Sequence, residues 1–271
     1  MKHRIIEIPE GLHARDFGAS SAERWINCQG SVLPARDAPK PPKKYAIEGS
    51  AAHYVSELVR KGVPLDEFKR TKIRVHHKDG HMDIPCNGEL MQSVDTFVQK
   101  VRERNSDQCI PPGDQFIEQM VHYDRWIPEG FGTLDDAALG HQVAFSMDFK
   151  HGKGKKVFAE WNPQLMLYGV GLTPLSWMYG RFKKFVLAIS QPRLNHFDEW
   201  EVTATDLYDW LVSVARPAAL RALQPGAPFK AGPWCQFCPL KPECRVYAAY
   251  KSVEQGASAS RVRGNDFGSL D

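Results

Sequence analysis

The sequence lacks any apolar run long enough to cross a membrane. No stretch approaches the roughly 18 consecutive apolar residues that a transmembrane helix needs. The segment that begins at Met1 also leads into no apolar core of the kind that a secretory signal peptide carries. We therefore expect a cytoplasmic protein with no membrane partner.

The sequence also lacks a strong excess of charge of either sign. It has 35 Lys and Arg against 32 Asp and Glu, which gives a formal net charge of +3 over 271 residues. This balance neither requires nor excludes a nucleic-acid partner, so the placement of the charges has to decide. The other proportions, 42% hydrophobic and 25% charged, predict one globular core with a small appended module.

Cysteine is scarce, and half of it lies in one short segment. In a cytoplasmic chain, six cysteines are metal ligands or buried thiols rather than disulfides. Cys235, Cys238 and Cys244 have the spacing at which a tight turn presents thiolates to one centre, so a fourth ligand must come from elsewhere. The general interpretation of such spacing is a zinc site whose fourth ligand is a histidine or another cysteine. Cys86 and Cys109 are predicted to be structural.

A β-hairpin is predicted between residues 131 and 150. Two mostly apolar runs flank a Gly-His dipeptide that begins at Gly140, and short runs broken in this way are typical of a hairpin. We expect Leu139 and Gln142 to close a two-residue loop. This loop sets the register of the two strands and therefore the face on which each side chain lies.

That register places two carboxylates on one face. Asp135 would lie opposite Ser146, and Asp148, two residues further along, would be its diagonal neighbour with Cβ atoms roughly 7 to 8 Å apart. Lys150 shares this face, whereas Asp136 points to the other one. A loop of three residues would reverse this assignment. The pattern predicts a pair of acids that can bind one hard cation.

Two predicted helices carry further polar side chains. In the helix after the hairpin, Asn162 is the expected N-cap, and Gln164 and Tyr168 share a face because they are four residues apart. In an earlier helix, over residues 45–60, His53 follows Glu48 by five residues, roughly 140° around a regular helix. The two can face one ion only if Glu48 precedes the helix. Considered alone, a helical histidine at this position would pair with Glu57.

The remaining segments predict the elements around this hairpin. They are a hairpin over 72–86, an amphipathic helix over 88–104, a strand over 116–123 carrying Glu118 in a supporting role, strands over 183–190 and 200–203, and a helix over 205–223 kinked at Pro217. We expect residues 1–19 to be an irregular arm, residues 39–44 an extended loop and residues 252–271 a flexible tail.

The segment over residues 151–156 combines two glycines with three lysines. Glycines let the backbone approach a phosphate closely, and lysines neutralise its charge. The segment is interpreted either as a contact to a nucleic-acid strand or as a solvated turn.

These parts, in this order, resemble the PD-(D/E)XK nuclease superfamily and within it the RecB-like branch. The matching residues are Gly132 and Asp135, Asp148 and Lys150, and Gln164 and Tyr168. The resemblance covers about residues 20 to 244. Within this branch it is similar to phage proteins and to the iron-sulfur RecB-like nucleases associated with CRISPR adaptation. A phage protein of this kind would lie in the host cytoplasm.

The resemblance implies an α/β fold in which helices flank a mixed central β-sheet, the restriction-endonuclease-like core, with a small C-terminal iron-sulfur module. The implied organisation is an arm over 1–19, the core over 20–230, the cysteine module over 231–251 and a tail over 252–271. Cys28 matches the upstream cysteine of the iron-sulfur members. The implied ligands of a [4Fe-4S] cluster are therefore Cys28, Cys235, Cys238 and Cys244.

The resemblance also implies metal-dependent cleavage of DNA from an end, by a deoxyribonuclease that acts as an exonuclease. The implied ligands of Mg²⁺ or Mn²⁺ are His53, Asp135 and Asp148, and the implied catalytic residues are Asp135, Asp148, Lys150, Gln164 and Tyr168. The partners would be single-stranded or duplex DNA and a protein of phage recombination, replication or repair. The alternatives are a non-catalytic DNA-binding or scaffold protein with the same fold, and a zinc-stapled interaction module.

Overall fold

The computed structural model describes residues 4–9, 14, 16–39, 43–175 and 182–264, and within these ranges the strands form two mixed sheets. The strands are β1 (Arg4–Glu7), β2 (Thr71–His77), β3 (Gly80–Pro85), β4 (Gln115–His122), β5 (Phe131–Gly140), β6 (Val143–Phe149), β7 (Lys184–Gln191) and β8 (His196–Thr203). The first three form one sheet and the other five form the central sheet.

Helices flank both sheets. They are α1 (Ala22–Asn27), α2 (Lys44–Arg60), α3 (Gly88–Asp107), α4 (Pro163–Leu172), α5 (Ala204–Trp210), α6 (Arg216–Ala222) and α7 (Arg245–Gly264). Between α5 and α6 the chain passes through a π-helical turn, Leu211–Ala215, which ends two residues before Pro217. Proline has no backbone N–H and cannot complete the regular helical bonding, which accounts for the predicted irregularity at this position.

The central sheet has helices on both faces. Its strands follow chain order, and all neighbours are antiparallel except β6 and β7, which are parallel and joined across α4. Trp25, Leu165 and Leu207 pack with one face of the sheet, whereas Val55 and Phe97 belong to the core on the other side. The predicted α/β class, with a mixed sheet and flanking helices, is thereby confirmed.

The smaller sheet corrects the prediction of an irregular arm over residues 1–19. β2 and β3 form the predicted hairpin with Gly80 at its turn, and β1 lies parallel to β2. Ile6 of β1 packs against the core that contains α2 and α3. β2, the partner of β1, begins more than sixty residues after β1 ends, so no local pattern could reveal this pairing. Residues 1–3, 10–13 and 15 lie outside the described residues.

The predicted flexible tail over 252–271 is wrong over residues 252–264, which belong to α7. This stretch contains alanine, glutamate and arginine, which favour helix, and no proline. The rest of the tail, 265–271, lies outside the described residues, as do residues 40–42 of the predicted loop over 39–44. No helix within the described ranges is long and apolar enough to span a membrane.

Candidate functional site

The central hairpin differs from its predicted register by two residues. Ser146 pairs with Ala137 rather than with Asp135, and Gly140 remains in the ladder as the last paired residue of β5. The turn lies one position further along than predicted, with Gln142 at a positive φ of 61°. Positive φ is typical of the two-residue turns that match the twist of a hairpin.

Because the shift is even, it preserves the predicted faces of the strands. Continuing the ladder beyond its last pair, Asp136 with Met147, brings Asp135 directly across from Asp148. The two acids therefore lie on one face at the position where the ladder opens. Asp136 faces the opposite side, as predicted.

Asp135 is held at both of its carboxylate oxygens. His53 Nδ1 lies 2.7 Å from Oδ1, and the backbone N–H of Phe149 donates to Oδ2 at 2.6 Å. Burial acts to raise the pKa of Asp135, but the positive charge of His53 and these two hydrogen bonds outweigh it and hold that pKa below its ordinary value. Asp135 is therefore an ionised acceptor at neutral pH.

His53 reaches the hairpin from α2. Burial acts to lower its pKa, but the charges of Asp135, Glu118 and Asp148 outweigh this effect and raise the pKa of His53 to about 9. A histidine must be neutral to bind a metal ion, so a divalent cation bound by His53 would displace a proton.

The other acids of α2 do not join this group. Glu48 lies within the helix and forms an ion pair with Lys44 at 3.8 Å, so the condition under which it could share an ion with His53 is not met. Glu57 pairs with Lys61 at 2.5 Å rather than with His53.

Glu118 lies among the possible metal ligands, although the sequence analysis predicted only a supporting role for it. The β4–β5 ladder pairs the residues on either side of Glu118 but omits Glu118 itself, which has a φ of 49°. The register is the same on both sides, so Glu118 stays opposite Asp135 but its distorted backbone interrupts the ladder. Ligand atoms of His53, Glu118 and Asp135 all lie within 4.8 Å of one another. Burial, reinforced by the charge of Asp135, raises the pKa of Glu118 to about 8.

Asp148 and Lys150 connect the hairpin to α4. Lys150 Nζ donates to Gln164 Oε1 at 2.9 Å, and Gln164 Nε2 lies 2.9 Å from Asp148 Oδ1 and 2.9 Å from the hydroxyl of Tyr168. The predicted shared face of α4 therefore points at the acids. Asn162 caps this helix as predicted, accepting from two backbone N–H groups of the first turn.

Asp148 is buried and holds Lys150 beside the acids. Its Oδ2 lies 2.8 Å from Lys150 Nζ, so the lysine ammonium is the cation next to this oxygen. Burial raises the pKa of Asp148 above its ordinary value, and Asp135 acts in the same direction. Carboxylates with one imidazole form a donor set that suits Mn²⁺, and Mg²⁺ through its oxygens. His53, Glu118 and Asp135 therefore fit a divalent cation, whereas Asp148, predicted as a ligand, does not belong to this close group.

Asp136 has a structural role. Arg60 Nη2 donates to Asp136 Oδ1 at 2.6 Å, and Arg104 Nη1 lies 2.7 Å from Oδ2. Arg60 also donates to the backbone oxygen of Asp135 at 2.6 Å. This buried cluster fixes β5 against α2 and α3 and so orients Asp135.

Asp136→Asn is expected to lower the free energy of unfolding by about 3–5 kcal/mol, because it leaves two buried guanidinium groups without an anionic partner. Chemical denaturation measures the loss. Asp66→Asn is the control, since the ion pair of Asp66 with Lys69 is exposed and contributes at most about 1 kcal/mol. Equal stability of the two variants would contradict this role.

The four cysteines predicted to hold a cluster line one cavity. Cys28 follows α1, and the segment that carries Cys235, Cys238 and Cys244 folds over it. The backbone N–H of Lys230 donates to Cys28 Sγ at 3.3 Å, although the two residues are 202 positions apart. No three of these sulfur atoms, all of which the structure describes, lie within 4.8 Å of one another.

A half-buried arginine accompanies the four cysteines. Arg24 lines the same cavity and donates to Ser31 Oγ at 2.9 Å. Burial lowers the pKa of Arg24, while Cys238 and Cys28 act to raise it. Cys86 lies elsewhere, in the core of α2 and α3, and Cys109 is exposed, so neither belongs to this group.

The lysine-rich segment 151–156 directly follows Lys150, and its residues 152–156 are exposed. Lys153 forms an ion pair with Glu89, and the backbone oxygen of Lys155 accepts from Gln191 Nε2 at 3.0 Å. The two glycines have open space around them, and Lys155 and Lys156 are exposed. The segment is therefore anchored yet accessible.

Comparison with known proteins adds two findings. A family model described as "Protein of unknown function (DUF2800)" matches residues 13–262. A solved structure titled "Crystal structure of SSO0001" is 10% identical in sequence, with a TM-score of 0.32, over 88% of this chain and 90% of that chain. A likeness at that TM-score establishes neither a shared fold nor a shared function.

Proposed function

The chain belongs to the DUF2800 family, and we propose that it is a divalent-metal-dependent deoxyribonuclease with a restriction-endonuclease-like core, of the RecB-like type. The one observation that carries the proposal is the convergence of Asp135, Asp148 and Lys150 at the opening of the central hairpin, with His53 against the first acid. The substrate would be DNA with an end, cut by exonuclease action in the cytoplasm during recombination, replication or repair.

The ligands of a Mg²⁺ or Mn²⁺ ion would be His53, Asp135 and Asp148, with Glu118 as an additional acid within reach. Such an ion, when bound, supplies Lewis acidity and lowers the pKa of water. Asp135 and Asp148 supply the negative charge that attracts it, while Phe149 and Gln164 hold one oxygen of each acid in place.

Lys150, Gln164 and Tyr168 would act on the substrate. The ammonium of Lys150 lies beside the acids and would neutralise the charge that develops on the scissile phosphate. Burial acts to lower the pKa of Lys150, but Asp148 raises it above its ordinary value, so this group stays positive at neutral pH. Gln164 and Tyr168 would position the strand from the face of α4.

We also propose a [4Fe-4S] cluster held by Cys28, Cys235, Cys238 and Cys244. A single zinc ion, about 2.3 Å from each sulfur, holds tetrahedral thiolates only about 3.8 Å apart. A four-iron cube is larger and separates its ligands more widely. What supports the proposal is that all four cysteines line one cavity. The positive charge of Arg24 in the same cavity suits an anionic cluster.

Digestion of end-labelled single-stranded and duplex DNA with Mn²⁺ or Mg²⁺ tests the nuclease proposal, with closed circular DNA as the control for endonuclease action. We expect loss of label from linear DNA and intact circles. A chain that binds DNA but cuts none of these substrates with either metal would instead be the non-catalytic DNA-binding protein. A chain that contains zinc and binds no DNA would be the interaction module.

The metal-free chain is expected to lose thermal stability as the pH rises from about 5 to about 9. A group whose pKa is higher in the folded state stabilises folding below its ordinary pKa, and this contribution is lost as the pH rises through the folded value. For Glu118 the window runs from 4.5 to about 8, and for His53 from 6.5 to about 9.

Melting temperatures measured in EDTA at successive pH values check this expectation. Glu118→Gln should flatten the lower part of the profile and His53→Asn the upper part. Added Mn²⁺ should restore the most stability at high pH, where it no longer competes with protons. A melting temperature that rises steadily over this range in EDTA would be the opposite result.

A further inference from the structure

Two aromatic side chains stand out on the surface between the lysine-rich segment and α4. Phe158 is 60% exposed and Trp161 is 51% exposed. Each ring rests on an aromatic side chain of the edge strand β8: Phe158 lies against His196 at 5.2 Å between ring centroids, and Trp161 against Trp200 at 5.0 Å. Each therefore keeps an open side toward solvent.

The backbone that carries these rings is fixed at several positions. The N–H of Ala159 donates to Asp198 Oδ2 at 2.6 Å, and the oxygen of Val157 lies 2.8 Å from His196 Nε2. The side chain of Asn162 donates to the oxygen of Phe158 at 3.0 Å. The rings are thus presented from an ordered segment, which lowers the conformational entropy lost when a ligand binds.

Trp161 also has a φ of 51°, a left-handed conformation that bulky residues seldom adopt. Such a conformation costs free energy and persists only where the surrounding structure holds it. Here it supports an indole that is half exposed and therefore contributes little to the core. Core packing does not account for this arrangement, whereas contact with a ligand does.

We propose that Phe158 and Trp161 form an aromatic platform that stacks the bases of a single DNA strand beside the cleavage site. This inference rests on the proposed nuclease function and specifies its substrate as an unpaired strand. Aromatic rings bind bases through their π-faces without regard to sequence. Within a duplex these faces are covered by neighbouring bases, so the platform suits a single strand or a frayed end.

The surrounding charges agree with this occupant. The exposed Lys155 and Lys156 lie on the chain just before the platform and suit the phosphates. Glu160 is exposed between the two aromatic residues and would repel a phosphate at that position. The platform therefore favours bases, whereas the preceding lysines favour the backbone of the strand.

The platform is also close to the proposed chemistry. Trp161 precedes Gln164 by three residues, and Gln164 contacts both Asp148 and Lys150. Three residues of chain span at most about 11 Å. This distance corresponds to at most about three nucleotides at the roughly 3.4 Å spacing of stacked bases. A base on Trp161 would therefore place its neighbouring phosphates near Lys150.

The test measures binding of the full chain, in EDTA, to a labelled oligothymidine of about 20 nucleotides, which exceeds the size of common single-strand sites. An abasic strand of equal length and a duplex serve as comparison ligands.

We expect Phe158→Ala and Trp161→Ala each to weaken oligothymidine binding by about 5- to 150-fold, the range for one stacked base. Trp161→Phe should retain most of the affinity. Tyr208→Ala removes another exposed aromatic side chain, on α5, and should change nothing.

The abasic strand requires no variant and so separates stacking from misfolding. Wild-type protein should bind it far more weakly than oligothymidine, and neither alanine substitution should weaken it further. Equal binding of the abasic strand and oligothymidine, no binding of oligothymidine, or unchanged affinity in the double alanine variant would overturn the platform. If the rings govern binding but no DNA is cut with Mn²⁺ or Mg²⁺, the nuclease proposal fails and the platform stands. If DNA is cut but the alanine substitutions leave oligothymidine binding unchanged, the nuclease proposal stands and the platform fails.

Discussion

Asp148→Asn is expected to reduce DNA cleavage by at least about 10³-fold while the chain remains folded. Asp148 is buried, its Oδ2 lies 2.8 Å from Lys150 Nζ, and it faces the same opening as Asp135. An amide of the same size keeps the packing but cannot supply the negative charge that holds a cation there. Initial rates on end-labelled DNA with Mn²⁺ measure the loss.

Binding of the metal separates this effect from unfolding. Mn²⁺ at a hundred times its Kd stabilises a folded chain by about 2.7 kcal/mol, and Asp148→Asn should lose most of that increment. In EDTA, both proteins should melt at similar temperatures. Wild-type cleavage by Asp148→Asn would remove the central assignment of the proposed function.

Two further variants define the boundary of the site. Lys150→Ala should also be inactive yet still be stabilised by Mn²⁺, because Lys150 is assigned to the phosphate rather than to the metal. Glu48→Gln is the matched control, since Glu48 shares α2 with His53 but pairs with Lys44 on the surface. It should cleave DNA at the wild-type rate. Ca²⁺ should bind without supporting turnover, because its loose coordination misplaces the reacting groups.

Local patterns were sufficient to predict the elements that carry the site. Two mostly apolar runs broken at Gly140 predicted the strands of the central hairpin. The spacing of Gln164 and Tyr168 placed them on one face of α4, and the structure confirms both features. Asn162 was recognisable as a cap because its side chain acts on residues directly after it. Each of these features depends on neighbours within a few positions.

Features that depend on distant parts of the chain were missed. The pairing of β1 with β2 joins residues far apart in sequence. The buried contacts of Asp136 with Arg60 and Arg104 require three elements to pack together. Their partners lie in α2 and α3, so no spacing within the hairpin indicates them.

Glu118 was underestimated because of an irregularity in its strand. The β4–β5 register places Glu118 opposite Asp135. Aligning the sequences of these two strands would therefore have predicted that the two acids lie close together. The interruption of the ladder at Glu118 depends on a positive φ. Glutamate has no preference for that conformation, and the neighbouring residues give no turn signal. The hairpin register failed for a similar reason, since positive φ at Gln142 moved the turn by one position.

The proximity of Cys28 to the other three cysteines of the cavity is a long-range feature that the family resemblance predicted and the spacing did not. Cys235, Cys238 and Cys244 are close in sequence, whereas Cys28 meets them only because residues 227–230 pack on the end of α1. A Cβ on Gly30 would lie 2.7 Å from the oxygen of Ala227, so this approach requires glycine. The fold thus brings a fourth thiol to the cavity.

Cys28→Ser is expected to lose its iron and visible absorbance as completely as Cys238→Ser does. Removing one of four ligands would leave the proposed cluster with an open corner, and binding of such a centre would contribute directly to folding. The centre would also close a loop of about two hundred residues, for which the entropic contribution is large. The free energy of unfolding should therefore fall by several kcal/mol, against about 1 kcal/mol for an average substitution.

Iron and zinc content per chain, measured after anaerobic purification, decides between the two kinds of centre. Cys109→Ser is the matched control because Cys109 is exposed and does not line the cavity, and it should keep its iron and its melting temperature. Cys86→Ser should also keep its iron, although its buried position makes some loss of stability expected. Full iron in Cys28→Ser, or zinc in the wild-type chain, would contradict the four-cysteine cluster. Loss of cleavage in Cys28→Ser should follow the loss of stability, because no cysteine lies among the groups assigned to the chemistry.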